Sequence, residues 1–284
     1  MKMTRALACS FLAATILSGR AHAVDAAAPE RPSTARPNVH VLAPMMIPGL
    51  ERQRTIRLYL PPDYATSHQR YAVLYMHDGQ NLFDAATSFL GEWEVDEALD
   101  RLAKTRHLQI IVVGIDNGAE HRMQELDAWD NERHGKAEGQ AYMDFIVGVV
   151  KPYIDAHYRT QADRAHTAIM GSSLGGLISH YAICAYPKVF GKAGMFSPAY
   201  WYAAEVFDYT SSHALPKDTR LYFYAGGKED ESMVGNMERA VALVRQQGLS
   251  AGNISVHVDA EAQHNEAAWR AEFPRAVAWL FEAP

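Results

Sequence analysis

A serine set among glycines, Gly171-Ser172-Ser173-Leu174-Gly175-Gly176, is the segment of this chain best suited to chemistry. A strand-like run at 166–170 precedes it and a helix-like run at 174–186 follows. A sharp strand-to-helix turn tolerates only small neighbours, and it lifts its central hydroxyl above the sheet at a helix N-terminus. Ser173 is therefore the candidate nucleophile, aimed at an electrophilic carbon such as a carbonyl. A serine hydroxyl needs an adjacent base to take its proton. His264, in Glu261-Ala262-Gln263-His264-Asn265-Glu266, falls between the last strand and the last helix, where an imidazole can reach over the serine. His180 lies too far along its helix to reach back, His257 lies within a strand and His213 in a polar loop.

The base needs an acid to fix its tautomer. Tyr224-Ala225-Gly226-Gly227-Lys228-Glu229-Asp230-Glu231 follows a strand at 220–225, and its glycines permit a tight turn. Spacing favours Glu229 over Asp230. Two backbone N–H groups are expected to meet a developing oxyanion. One is that of Leu174, directly after the nucleophile, and the other that of Gln80, in His77-Asp78-Gly79-Gln80-Asn81. Around them, Arg122 is a candidate to hold an anionic substrate oxygen. Tyr200 and Trp201 are candidates for an aromatic wall, with Trp129 joining them.

These residues must be carried by alternating elements. Short apolar or alternating runs at 55–60, 71–76, 110–115, 166–170, 192–196, 220–225 and 254–258 read as strands. Helical spacing appears at 93–103, 141–154, 174–186, 232–247 and 266–281, the fourth ending at Gly248. Strands separated by such helices imply right-handed crossovers, and hence an α/β fold with a mostly parallel central sheet and helices on both faces. The charged, aromatic stretch 116–139 is the natural lid or substrate loop.

Residues 1–23 have a positive start (Lys2, Arg5), an apolar run and Ala21-His22-Ala23, the pattern of a cleaved export signal. Residues 24–38, rich in Ala, Pro, Arg and Ser, read as a disordered linker, and 39–284 as one domain. The expected location is periplasmic or secreted, with no membrane span once the signal is removed. The signal takes Lys2, Arg5 and Arg20 with it, leaving 24 basic against 33 acidic residues and a net charge of −9. With no basic run, nucleic acid is an unsuitable partner. Cys184 is then the one remaining cysteine, in an apolar helical setting that suits a buried, inert thiol. There is no Cys/His metal spacing and no HExxH.

The chain resembles the putative-esterase family of the α/β-hydrolase fold, which includes enterochelin (siderophore) esterases, esterase D and feruloyl or acetyl-xylan esterases. The resemblance covers about 39–282 and is carried by YLPPDY (59–64), LYMHDGQNLFD (74–84), VVGIDNG (112–118), GSSLGG (171–176), FSPAYW (196–201), GGKE (226–229) and AEAQHNEAAW (260–269). It implies hydrolysis of a small-molecule ester by a Ser–His–acid triad through an acyl-enzyme, without a cofactor. It places the acid at the fourth position of GGKE, Glu229, although many members carry Thr where Gly227 stands. Siderophore-type or phenolic esters are the expected substrates, with feruloyl or acetyl carbohydrate esters as the alternative. An acyltransferase using the same triad, and a non-catalytic binding or scaffolding protein or a peptidase on the same fold, are the competing classes.

Overall fold

A computed structural model describes residues 31–282. The expected export signal, and 24–30 of the expected linker, lie outside the described residues. The rest builds one eight-stranded sheet in the order β1-β2-β4-β3-β5-β6-β7-β8. Its strands are β1 (Val39–Ile47), β2 (Arg52–Tyr59), β3 (Ala72–His77), β4 (Ile110–Ile115), β5 (Thr167–Ser172), β6 (Lys192–Phe196), β7 (Arg220–Gly226) and β8 (Ile254–Asp259). The first two run antiparallel, and every pairing from β4 through β8 is parallel. The helices are α1 (Val95–Arg106), α2 (Arg122–Glu125), α3 (Gly139–Phe145), α4 (Lys151–His157), α5 (Leu174–Ala185), α6 (Glu205–Ser212), α7 (Glu231–Gln246) and α8 (Glu266–Phe281). Among the described residues, no helix is long and apolar enough to cross a membrane.

Two apolar layers sandwich the sheet. One face packs on α3 to α7 and the other on α1 and α8. The central strands β4 and β5 are buried at every residue, which is why they read as continuous apolar runs rather than alternating ones. Helix α5 is buried from Leu174 through Cys184, and it is apolar all round because it runs under other helices. Each of its fully buried Leu177 and Ile178 side chains contributes about 1.5–3 kcal/mol. Burial pushes the Cys184 thiol up to about 12, so it stays protonated.

Three elements depart from the sequence reading, one of them α6, since no helical run was read at 205–212. Strand β1 was not expected, because five of its nine residues are exposed and its pattern is neither alternating nor continuously apolar. The expected single helix at 141–154 divides into α3, a π-helical segment at Ile146–Val150, and α4. Pro152 explains the break: it has no N–H to give, and its ring clashes with the carbonyl four residues back, which the wider π turn relieves.

Residues 31–38 are not a free tether. The Arg31 guanidinium donates to the Ser88 carbonyl, Ser33 Oγ to Asp84 at 2.8 Å and Thr34 Oγ1 to Glu92 at 2.7 Å. The Arg36 amide donates to Asp96 at 2.9 Å. The polar composition that suggested disorder is matched here by polar partners on the domain.

Candidate active site

The site lies at the C-terminal edge of the parallel strands, where the loops after β3, β5, β7 and β8 converge. Ser173 sits between β5 and α5 at φ 56°, ψ −121°, a strained conformation for a residue with a side chain. The turn is possible only because Gly171 and Gly175 cross closely: a Cβ on Gly171 would stand 2.7 Å from the Gly175 carbonyl carbon. The Ser173 amide donates to the Phe196 carbonyl at 2.9 Å, which anchors the elbow to β6.

His264 follows β8, and its Nδ1 lies 2.7 Å from Glu229 Oε2. The Glu229 carboxylate is wholly buried, whereas the imidazole is 38% exposed. The other oxygen, Oε1, accepts from the Gly226 amide and from Ser197 Oγ, both at 2.6 Å. Ser197 in turn accepts from Trp269 Nε1 at 2.9 Å, and the Trp269 ring stands edge-on to His264, with centroids 5.0 Å apart. The carboxylate and imidazole are thus held from both sides. Asp230, the rival acid, is turned away as the N-cap of α7, accepting from the Ser232 amide. The Ser232 contacts hold its carboxyl below the usual range.

The competing histidines are occupied elsewhere. His180 is fully buried between Tyr200 and Thr210, and burial pushes it down to about 4. His257 faces Glu272 at 2.9 Å on the far edge strand, and His213 leans on the Tyr209 carbonyl at 2.8 Å.

Ser173 and His264 open into one cavity of about 700 Å³, also lined by Gln80, Arg122, Phe89, Leu90, Trp93 and Trp269. That volume suits a small-molecule ligand. Leu174 opens α5, so its amide belongs to the free first turn of the helix. Gln80 lies in a short 3-10 turn, Gly79–Asn81, and its side-chain oxygen accepts from the Asn117 amide at 3.1 Å.

Arg122 reaches the cavity, but its guanidinium is already engaged. It grips Asp78 through two bonds, Nε to Oδ1 at 2.6 Å and Nη2 to Oδ2 at 2.9 Å. Burial alone would raise the Asp78 carboxyl, yet Arg122 and Asn117 outweigh it and hold the carboxyl below its ordinary range. Asp78 has φ 56° and begins the turn that carries Gln80, so this pair clamps the turn. Arg122→Met would leave a buried carboxylate unpaired. Urea unfolding should show a loss of about 3–5 kcal/mol, and Arg122→Lys a smaller one.

The expected aromatic wall is not where the sequence reading put it. Tyr200 is fully buried, bonded to His180 Nδ1 at 2.7 Å and packed on Phe207. Trp201 is 59% exposed on the outer surface and lines no part of the cavity. After β6 the chain turns at Ser197, φ 43°, and is held there by the Ala199 amide, which donates to the Ser173 carbonyl at 3.0 Å, while Tyr200 is drawn into the core by His180 of α5. Trp129 packs edge-on to Tyr181 and Tyr209, also away from the cavity. The stretch 116–139 reaches the cavity only through Asn117, Ala119 and Arg122. Its distal part is pinned by Asn131 to the Tyr202 carbonyl at 3.1 Å and by the Gly139 amide to the Asp127 carbonyl at 2.8 Å.

The aromatic surface comes instead from Trp93 and Trp269, stacked at a tilt with centroids 5.8 Å apart. Phe89 and Leu90, 80% and 75% exposed, stand at the mouth. Sequence reasoning had placed Trp93 on the face of a helix that in fact begins at Val95.

A family model described as Putative esterase matches residues 47–280. The chain belongs to the Putative esterase family. By class this esterase is a serine ester hydrolase. It is 28% identical over 243 residues to the uncharacterized protein YbbA of Bacillus subtilis, covering 80% of this chain and 92% of that protein. It is 29% identical over 236 residues to the iron(III) salmochelin esterase of Escherichia coli, covering 77% of this chain. The chain spans 52% of that relative's length. Among solved structures, the enterobactin esterase of Shigella flexneri, in the presence of enterobactin, superposes with a TM-score of 0.70 at 19% identity. That match covers 89% of this chain and 60% of the other, and the likeness is one of fold.

Proposed function

We propose that this esterase hydrolyses small carboxylic esters through an acyl-enzyme on Ser173, with His264 as base and Glu229 as its orienting acid. The observation that carries the reading is the 2.7 Å bond from His264 Nδ1 to a buried Glu229 carboxylate, with Ser173 opening into the same cavity. With its Nδ1 proton held by Glu229, the imidazole leaves Nε2 free to take the Ser173 proton as Oγ attacks the ester carbonyl. The carbonyl oxygen becomes an oxyanion that the Leu174 and Gln80 amides receive. Such donors lower the barrier by about 2.7–4 kcal/mol each. Collapse expels the alcohol, which takes the proton from Nε2. Water then enters by the same steps in reverse order and releases the acid.

The cavity also supports a substrate class. Trp93, Trp269, Phe89 and Leu90 offer flat apolar surface beside Ser173, and Arg31 sits at the same wall. A planar aryl group carrying hydroxyls suits that lining, in keeping with the salmochelin and enterobactin esterases among its relatives and structural neighbours. We place the mature enzyme, after removal of 1–23, in the periplasm or outside the cell.

A panel of esters matched in leaving group tests this reading. Dihydroxybenzoyl-serine and feruloyl esters should exceed acetyl esters in kcat/KM by roughly tenfold or more, from one buried ring's worth of apolar contact. Phe89→Ala should narrow the gap. Equal kcat/KM across the panel would remove aryl esters as the preferred class.

A further inference from the structure

Outside the catalytic cavity, the first turn of α1 and the loop before it gather three carboxylates, Glu92, Asp96 and Glu97. One oxygen from each lies within 4.8 Å of the others. Glu92 is 7% exposed and Asp96 wholly buried. Glu92 Oε1, Asp96 Oδ1 and Glu97 Oε2 are buried atoms that accept no hydrogen bond. The opposite oxygens do have partners: Thr34 Oγ1 on Glu92 Oε2 at 2.7 Å and the Arg36 amide on Asp96 Oδ2 at 2.9 Å. Each side chain is thus oriented by one oxygen while its other is left bare.

Bare buried carboxylate oxygens are costly, by several kcal/mol each when the group is charged. The nearest cation is Arg36, whose Nε lies 3.4 Å from Glu97 Oε1 on a half-exposed side chain. With all three carboxylates ionised, as a bound cation would hold them, Arg36 offsets one of the three negative charges. An all-oxygen donor set with that charge matches a hard divalent ion. Magnesium keeps most of its waters and demands a near-ideal octahedron. Calcium accepts irregular geometry and several carboxylates, and the 16% exposure of Glu97 leaves one side for entry and for completing water.

We propose that Glu92, Asp96 and Glu97 form a structural calcium site. It ties together three segments: the arm carrying Thr34 and Arg36, the first turn of α1, and the end of the 84–92 loop that walls the active-site cavity. Calcium bound there fixes the mouth of the cavity without touching substrate.

The test uses the mature protein freed of metal by chelator. Calcium chloride at roughly a hundred times its Kd should raise the Tm by about 5 °C or more, and calorimetric titration should show one saturable site. Magnesium at the same concentration should do much less. Asp96→Asn should abolish the calcium response, and Glu97→Gln, at a more exposed position, should weaken binding at least roughly tenfold even where Asp96→Asn does not fold. No heat and no Tm shift in the unaltered protein would overturn the proposal and leave shared protons as what satisfies these oxygens. A calcium response unchanged in Glu97→Gln would place the ion elsewhere, and an equal response to magnesium would overturn the assignment to calcium.

Discussion

Ser173→Ala should lower kcat for ester hydrolysis by about 10⁴- to 10⁶-fold while leaving the folded protein intact. The size follows from chemistry: without Oγ no acyl-enzyme forms, and only binding and oxyanion stabilisation remain. The stability half is equally specific. Ser173 makes its structural bonds through the backbone, its amide to Phe196 and its carbonyl to Leu177 and Ala199, and no side-chain bond of Ser173 supports the fold. Replacing a strained φ of 56° serine by alanine keeps the same backbone constraint. Initial rates with a chromogenic ester and a thermal melt, measured on one preparation, check both halves. A residual rate within tenfold of the parent would move the nucleophile elsewhere.

Glu229→Gln should cost about 10⁴-fold in kcat with little change in KM. The carboxylate holds the His264 Nδ1 proton with Oε2, while Oε1 is fixed by Gly226 and Ser197. Those two donors keep a carbonyl oxygen on their side, so the new amide would present its NH₂ to His264. The imidazole must then accept at Nδ1 and carry its proton at Nε2, facing Ser173, which is the tautomer that cannot act as base. Asp230→Ala is the control. It removes an N-cap, costs about 0.5–2 kcal/mol of stability and should leave kcat unchanged. Opposite outcomes for the two substitutions, read by kcat and by urea unfolding, distinguish the acid from its neighbour.

The parts of this molecule readable from sequence are those governed by local rules. Ser173 is announced by the glycines its turn requires, and His264 and Glu229 by their positions just past the ends of β8 and β7. Strands β4 and β5 are continuous apolar runs because both faces are covered. What stayed hidden depends on distant or single-torsion events. Tyr200 and Trp201 follow a strand just as Glu229 does, but after the turn at Ser197 the first is buried against His180 of α5 and the second faces outward. Trp93 and Trp269 pack together in the cavity wall although they lie far apart in the sequence, and nothing local in either segment predicts that pairing. The 31–38 arm looked disordered because its residues are polar. It is ordered by equally polar partners at Asp84, Ser88, Glu92 and Asp96, which no local pattern reveals.

Labelling of the purified protein with a fluorophosphonate, followed by peptide mass mapping, tests most directly whether the serine at position 173 is activated. The predicted result is a single adduct on the peptide holding Ser173, abolished in Ser173→Ala and slowed strongly in Glu229→Gln. No adduct on folded protein, or an adduct on another serine, would contradict the assembled triad and the esterase mechanism built on it.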